Sequence, residues 1–320
     1  MATLKDIAQR AGVTATTVSR VINNRGYISE GTRKKVYAAM EEMHYQPNEL
    51  ARAFSKQYTN TIGLIVPHIS HPFFIKVISN LESSAAEKGF KLLLCNSKEQ
   101  PEKEQDYLDM CISNRVAGIV LCSKYVQTRE FRKMNIPVVN LERGGDDDTI
   151  SVQCDNYQGG KLAAEHLIEC GCKNLLHFGG VAGKDMPADR RADGFSDVCK
   201  KAGIPYRILV SDRLQYGSMH YEDFIRRALQ EFPDVDGIFA SSDLIASQVI
   251  QVGAQMDKHV PEDIQLVGFD DVMISTVTTP QITTIHQPVE EMAELCVEYI
   301  TKSLKNEPVP QKIVLPVRLG

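Results

Sequence analysis

The sequence predicts an α/β protein: a small all-α helix-turn-helix head, a short linker, and a large body of two parallel α/β subdomains. Three observations predict it. From Thr61 onward, short β-branched runs alternate with helical stretches, the pattern of parallel sheets covered by helices on both faces. The runs are too many for one sheet of ordinary size, which divides the body in two. The first 60 residues contain no such run and differ in charge: nine basic against five acidic side chains, net +4, whereas the rest carry 27 basic and 36 acidic, net −9. A small basic module joined to a large acidic one fits polyanion binding by the first.

In the head, Leu4 to Ala11 reads as a helix with Leu4, Ile7, Ala8 and Ala11 on one stripe. Gly12 stops it. The Thr14 hydroxyl is placed to cap a second helix from Ala15 to Asn23, with Val18, Val21 and Ile22 inward. A third helix runs from Glu30 to Met43 and buries Val36, Ala39, Met40 and Met43. Two short helices with a glycine turn and a supporting third describe a DNA reader whose second helix enters the major groove. Ala15 and Thr16 stand at the end of that helix that meets base edges, and Arg20 can pair with guanine O6 and N7. Thr14, Thr17, Ser19 and Asn23 suit phosphate or sugar contacts.

Pro47-Asn48 ends the third helix and opens a segment, Glu49 to Ser55, of about two turns. Helices shorter than about 12 residues are marginal alone in water, so this linker is expected to order only against a partner.

In the body the predicted strands are Ile62–Val66, Lys91–Leu94, Gly118–Leu121 and Pro137–Val139, then Asn174–Phe178, Ile208–Val210, Gly237–Ala240 and Gln265–Phe269. The intervening helices include Phe74–Glu87, Lys103–Asn114, Gly159–Cys170, Ala192–Ala202 and Ser247–Met256. Ligands of such sheets sit beyond the carboxyl ends of the strands, so the cleft between two sheets is the expected site. The residues there suit a sugar. Phe73 and Phe74, in His71-Pro72-Phe73-Phe74, offer flat apolar faces to a sugar ring. Arg143, Arg191 and Asp270 follow or face strand ends, and a guanidinium fork with a carboxylate can bridge adjacent hydroxyls.

Other chemistry is expected to be absent. Gly179-Gly180-Val181-Ala182-Gly183-Lys184-Asp185 fails as a phosphate loop, because Phe178 holds the first glycine position and Asp185 replaces Ser or Thr. The pairs His68/His71 and Cys170/Cys172 lack second ligand pairs at a recognisable spacing, so no metal and no cofactor are expected. Asp146-Asp147-Asp148 reads as a solvated loop, and no catalytic motif is present. No run of about 18 apolar residues suggests a membrane span. The N-terminus lacks a basic start with an apolar run, so a cytoplasmic chain with reduced cysteines is expected.

The stretch from Leu4 to Asn23, Leu-Lys-Asp-Ile-Ala-Gln-Arg-Ala-Gly-Val-Thr-Ala-Thr-Thr-Val-Ser-Arg-Val-Ile-Asn, resembles the head of the lactose/galactose-repressor family of bacterial transcription regulators. Tyr45-Gln46-Pro47-Asn48 and Ala51-Arg52-Ala53 resemble that family's linker, and the resemblance continues through the body. It implies a dimer on a pseudo-palindromic operator, with paired hinge helices carrying Asn48, Ala51 and Phe54 into the minor groove. Phe54 stands where the family usually has a leucine wedge. It implies a body like the periplasmic sugar-binding proteins, with chain crossovers near 160 and 288. The expected units are then a head at 1–46, a hinge and linker at 47–60, a first subdomain at 61–160 plus 289–320, and a second at 161–288.

Arg191, Asp270 and Gln287 match effector-contacting positions of the family. Ser242-Asp243 stands where the family typically has Asn-Asp, so one effector contact is expected to differ. The resemblance implies repression of carbohydrate-utilisation genes under control of a small sugar or sugar phosphate. Asn23-Asn24-Arg25-Gly26-Tyr27-Ile28-Ser29 and Cys95-Asn96-Ser97 are most similar to members acting on carbohydrate uptake in Gram-positive bacteria, with sucrose or a related sugar as the effector implied. Two alternatives stay open: control by a phosphorylated carrier protein, and a sugar-binding protein whose head is incidental. Family members that form tetramers add an apolar heptad tail; the chain ends at Gly320 without one, so a dimer is expected.

Overall fold

The computed structural model describes residues 2–23, 26–45, 57–123, 125, 136–144, 149–181 and 186–320. The chain divides into two compact units, Met1–Thr59 and Asn60–Gly320.

The first unit is a three-helix bundle of α1 (Leu4–Ala11), α2 (Ala15–Ile22) and α3 (Glu30–Glu42). A reciprocal Thr3/Asp6 capping box starts α1, and Gly12 ends it at φ +68°, a left-handed conformation that glycine adopts without a Cβ penalty. The Thr14 and Ser29 hydroxyls cap α2 and α3, accepting from the amides of Thr17 and Thr32. Ile7, Ala8, Val18, Val21, Val36 and Ala39 form the core. The three expected helices are all present.

The second unit holds two six-stranded sheets. The first contains β1 (Thr61–Val66), β2 (Lys91–Asn96), β3 (Gly118–Leu121), β4 (Val138–Leu141), β5 (Ile150–Cys154) and β11 (Lys312–Leu315). The second contains β6 (Leu175–Val181), β7 (Tyr206–Ser211), β8 (Gly237–Ala240), β9 (Gln265–Asp270), β10 (Thr283–His286) and β12 (Arg318–Leu319). In each sheet the second strand lies outside the first, and the others follow on its far side in chain order. The pairings are parallel except β12, which runs antiparallel to β10.

Helices cover both faces of each sheet. Against the first, α4 (Pro72–Glu87) and α12 (Val289–Leu304) bury Phe74, Val77, Leu81, Cys296 and Ile300 on one side. On its other side α5 (Pro101–Ser113) buries Leu108 and Cys111. The second sheet is enclosed by α6 (Asn156–Glu169) and α7 (Arg190–Ala202) on one face, and by α9 (Glu222–Glu231) and α10 (Asp243–Gln255) on the other. Two short helices, α8 (Arg213–Ser218) and α11 (Met273–Val277), sit in the connections.

Three departures from the sequence reading stand out. Strands β5 and β10 were not expected; each is four or five residues of mixed polarity, too short to announce itself. Helix α10 starts at Asp243 rather than Ser247, because the Ser242 hydroxyl caps it. The last residues leave the first subdomain: Arg318 and Leu319 pair with His286 and Ile285 in the second sheet. The boundary of 289–320 is therefore too long, and the chain passes between the sheets three times rather than twice. Just before Arg318 and Leu319, Val317 is half-buried and packs against the core of the second subdomain.

Candidate functional site

In the head, Thr16 and Arg20 are exposed on α2, while Ala15 is half-buried against the bundle core. The other expected contacts are partly engaged within the head. Thr14 caps α2, and its hydroxyl lies 2.9 Å from that of Thr17. The Asn23 amide donates to the Ser19 carbonyl at 2.8 Å and so closes the helix. The face that α2 presents is thus centred on Thr16 and Arg20. Asn48, Ala51 and Phe54 lie outside the described residues.

In the body, the carboxyl ends of both sheets line one cavity of about 140 Å³. In both sheets the strand order reverses beside the first strand, between β1 and β3 and between β6 and β8. The chain therefore splays apart at two switch points, which is where such sheets bind ligands. His71, Phe73 and Phe74 enter from the segment after β1, Ser123 after β3 and Glu142 after β4. Ser241 and Ser242 follow β8, Asp270 ends β9, and Gln287 follows β10.

Arg191 is the best-held of these side chains. It lies in the first turn of α7, where the helix dipole disfavours a cation. Three contacts offset that. Nε donates to Asn156 Oδ1 at 2.7 Å, Nη1 donates to the Ser241 carbonyl at 2.5 Å, and the guanidinium lies 3.5 Å above the Phe269 ring. Asn156 in turn donates to Glu142 at 3.0 Å, and Glu142 also accepts from the Cys154 amide. The result is a chain of hydrogen bonds from β4 of the first sheet to α7 of the second.

Glycines make this geometry possible. A Cβ on Gly160 would sit 2.0 Å from the Arg191 carbonyl oxygen, and one on Gly194 would sit 2.0 Å from the Tyr157 carbonyl oxygen. Both obstacles are backbone, so α6 and α7 can cross at this distance only without side chains there.

Asp270 is buried and sits at φ +106°. Gln287 Nε2 donates to its Oδ1 at 2.6 Å. Burial pushes its carboxyl up to about 8, against the opposing pull of Arg191. At neutral pH Asp270 is therefore held largely as the acid, able to donate as well as accept. Burial likewise pulls His71 down to about 4, so that ring is neutral. His71 meets Phe74 edge-on at 5.7 Å, and Tyr216 of α8 lies 6.4 Å from it, bringing an aromatic ring from the second subdomain against the first.

Of the expected effector residues, Phe73, Phe74, Arg191, Ser242, Asp270 and Gln287 line the cavity, and Arg143 and Asp243 do not. Arg143 is buried and donates to Asn140 Oδ1 at 3.0 Å; its neighbour Glu142 takes the strand-end position instead. Asp243 accepts from the Thr284 hydroxyl at 2.6 Å and the Val272 amide at 2.9 Å, pinning α10 to the β9 and β10 region. Ser242 reaches the cavity, but its oxygen accepts from the Ile245 amide as the helix cap. Glu99, Ser123, Glu142, Asp189, Tyr216 and Ser241 were missed. Glu142 carried the same strand-end signal as Arg143, one residue away; Tyr216, on a helix with no buried residue, carried none.

Among the described residues no three His, Cys, Asp or Glu side chains are grouped to hold a metal. Among them, too, no helix is long and apolar enough to cross a membrane.

Comparison with known proteins agrees with this architecture. Residues 3–48 match the family described as bacterial regulatory proteins, lacI family, and residues 164–319 match the periplasmic binding protein-like domain. A ribose operon repressor of Halalkalibacterium halodurans is 33% identical, over 98% of this chain and 96% of the relative. The chain belongs to the lacI family of bacterial regulatory proteins. The resemblance read from Leu4–Asn23 is confirmed, and this lacI-family protein is a DNA-binding transcriptional regulator. A sucrose operon repressor of Pediococcus pentosaceus is 35% identical, over 99% of this chain and 97% of the relative. A periplasmic binding protein/LacI transcriptional regulator from Alkaliphilus metalliredigens, solved in complex with D-xylulofuranose, is 31% identical with a TM-score of 0.74; the match covers 82% of this chain and 97% of that one.

Proposed function

We propose that this lacI-family protein is a cytoplasmic, dimeric repressor of carbohydrate-utilisation genes whose operator affinity is set by a small sugar in the cleft. Two heads bind the half-sites of a pseudo-palindrome. Thr16 and Arg20 of each α2 read base edges, with Ala15, Thr17 and Ser19 beside them, and Asn48, Ala51 and Phe54 act at the operator centre. The observation that carries the reading is the Glu142–Asn156–Arg191 chain, which joins the two sheets across the cavity wall. A ligand touching Arg191 or Glu142 acts on both subdomains at once. Because the two arrangements of the subdomains differ in contacts with the ligand, the ligand shifts their populations and with them the pairing energy of the hinges. Ribose and sucrose operon repressors among the relatives, and a furanose in a solved neighbour, support a sugar as the effector class.

The test is fluorescence anisotropy of the full chain on duplexes from the region upstream of its own gene, with and without a sugar panel. A steep salt dependence, a specific-to-nonspecific ratio of at least about 10³, and a shift in affinity with one sugar are expected. Arg20→Ala should lose about 1–3 kcal/mol and relax the sequence preference at a single base pair. Equal weakening on all duplexes would reduce Arg20 to a phosphate contact. Indifference to every sugar would remove the effector from the reading.

A further inference from the structure

We infer that the cleft selects a free, uncharged five- or six-carbon sugar and rejects both phosphorylated sugars and disaccharides. This rests on the cleft being the effector site and narrows the chemistry it accepts.

Charge is the first ground. Four carboxylates line the cavity: Glu99, Glu142, Asp189 and Asp270. Arg191 is the one cation among the described lining residues, and its guanidinium is already committed to Asn156, the Ser241 carbonyl and the Phe269 face. His71 is neutral. With Asp270 held as the acid, three further carboxylates and one engaged cation remain among the described lining residues. A phosphate group would meet like charge from these carboxylates.

Unmet hydrogen bonds are the second ground. Gln287 is 1% exposed, its Nε2 is spent on Asp270, and its Oε1 has no partner among the described residues. The Ser123 hydroxyl, 2% exposed on the opposite sheet, likewise has no partner among them. Buried polar atoms are ordinarily paired, so both await a group from the ligand. Gln287 Oε1 can only accept, and the carboxylates around it also accept. The ligand must therefore be rich in donors. A sugar brings a hydroxyl on nearly every carbon, whereas a purine base brings one or two N–H groups.

Size is the third ground. A cavity of about 150 Å³ takes one benzene ring, so about 140 Å³ is the size of a single six-membered ring. A free pentose or hexose is one ring, and a disaccharide is two.

The experiment is calorimetric titration of the full chain with matched compounds: ribose, xylulose, glucose and fructose, the terminal phosphate ester of each, sucrose and cellobiose, and adenine and hypoxanthine. Operator anisotropy is recorded in parallel. One free monosaccharide is expected to bind and to shift operator affinity, with its phosphate ester at least about a hundredfold weaker. Gln287→Met, which removes the waiting acceptor, should weaken that sugar about tenfold or more, its own melting curve showing that it folds. Glu99→Gln should narrow the gap between sugar and ester. A phosphate ester binding as tightly as its parent would overturn the charge argument, a disaccharide alone binding would overturn the size argument, and a purine alone binding would overturn the donor argument. In the first two cases a sugar effector would still stand. If no compound binds or alters operator affinity, the inference and the sugar-effector reading fail together.

Discussion

The two subdomains of the body share one strand order yet supply different mixtures of side chains to the cavity between them. The first presents the rings of His71, Phe73 and Phe74 after β1 with Glu99, Ser123 and Glu142 beside them; the second presents Arg191, Ser241, Asp270 and Gln287 with the rings of Tyr216 and Tyr221. The sheets differ also in their sixth strand, parallel in the first and antiparallel in the second. Topology therefore fixes where side chains emerge but not what they do. Matching switch points deliver rings and directional polar groups in different proportions from the two sides, and a sugar has an apolar C–H face and a hydroxyl rim to meet both.

The most disruptive way to probe this asymmetry is at the glycines. Gly160 in the second subdomain faces backbone, whereas Gly63 in the first faces the Cys111 sulfur at 2.7 Å, a side chain that can move. Gly160→Val should cost at least about 3 kcal/mol or prevent folding, and Gly63→Ala should cost about 1–3 kcal/mol. Denaturant melts decide it; equal losses would mean that α6 and α7 separate easily and do not hold Arg191 rigidly.

Next in size is Asp243. Its replacement by Ala leaves the Thr284 hydroxyl and the Val272 amide without their buried partner, a loss of about 2–3 kcal/mol. Sugar affinity, measured by titration on the folded fraction, should change little. A large affinity loss with unchanged stability would return Asp243 to the effector site.

The acid–base balance also differs between the halves. Burial pulls His71, in the first, and His177, in the second, each to about 4. A histidine kept neutral when folded lowers stability as pH falls from about 6.5 to about 4, since the unfolded chain binds the proton first. The carboxyls of Asp243 and Asp270, raised to about 6 and about 8, act oppositely: the folded chain binds their protons first, so stability falls as pH rises. The two effects largely cancel between about 4 and 6. Above about 6.5 Asp270 stands alone, and stability should fall by up to about 2 kcal/mol on reaching pH 8. Melts of the ligand-free protein across that range should show the decline, and Asp270→Asn should flatten it. A decline that persists in Asp270→Asn would assign it elsewhere.

The smallest effects are expected on the outer strands. Leu94 of β2 and Val210 of β7 occupy the edge strand of their respective sheets and are both exposed, at 42% and 46%. Lysine at either should change monomer stability by no more than about 0.5 kcal/mol. A larger fall at one alone, dependent on protein concentration, would mark that edge as covered by a second copy.

How much of this was legible in the sequence follows from the physics of each element. Strands buried on both faces, such as Gly118–Leu121 and Gly237–Ala240, are unbroken apolar runs and were read directly. Strands β5 and β10 were not, because Ser151, Gln153 and Thr284 interrupt them and pairing with neighbours, not composition, makes them strands. The strand-end argument put forward Asp270, which lines the cavity, and Arg143, which does not, because just past β4 it is the adjacent Glu142 that lines it. Family resemblance put forward Gln287 and Arg191, which line the cavity, and Asp243, which does not and whose two hydrogen bonds are visible only in three dimensions. Ser242 keeps the capping job but not the amide, which changes what it can offer a ligand.

The return of the chain to the second sheet at β12 has a consequence for synthesis. The polypeptide visits one half, then the other, then the first again, then the second again. Neither half is a contiguous stretch that a ribosome can release to fold by itself. The first lacks one of its two edge strands until Leu315 emerges, and the second until Leu319. Both must wait, with bare edges, for nearly the same moment of translation, so the period in which nascent chains risk sticking to one another ends for both halves together.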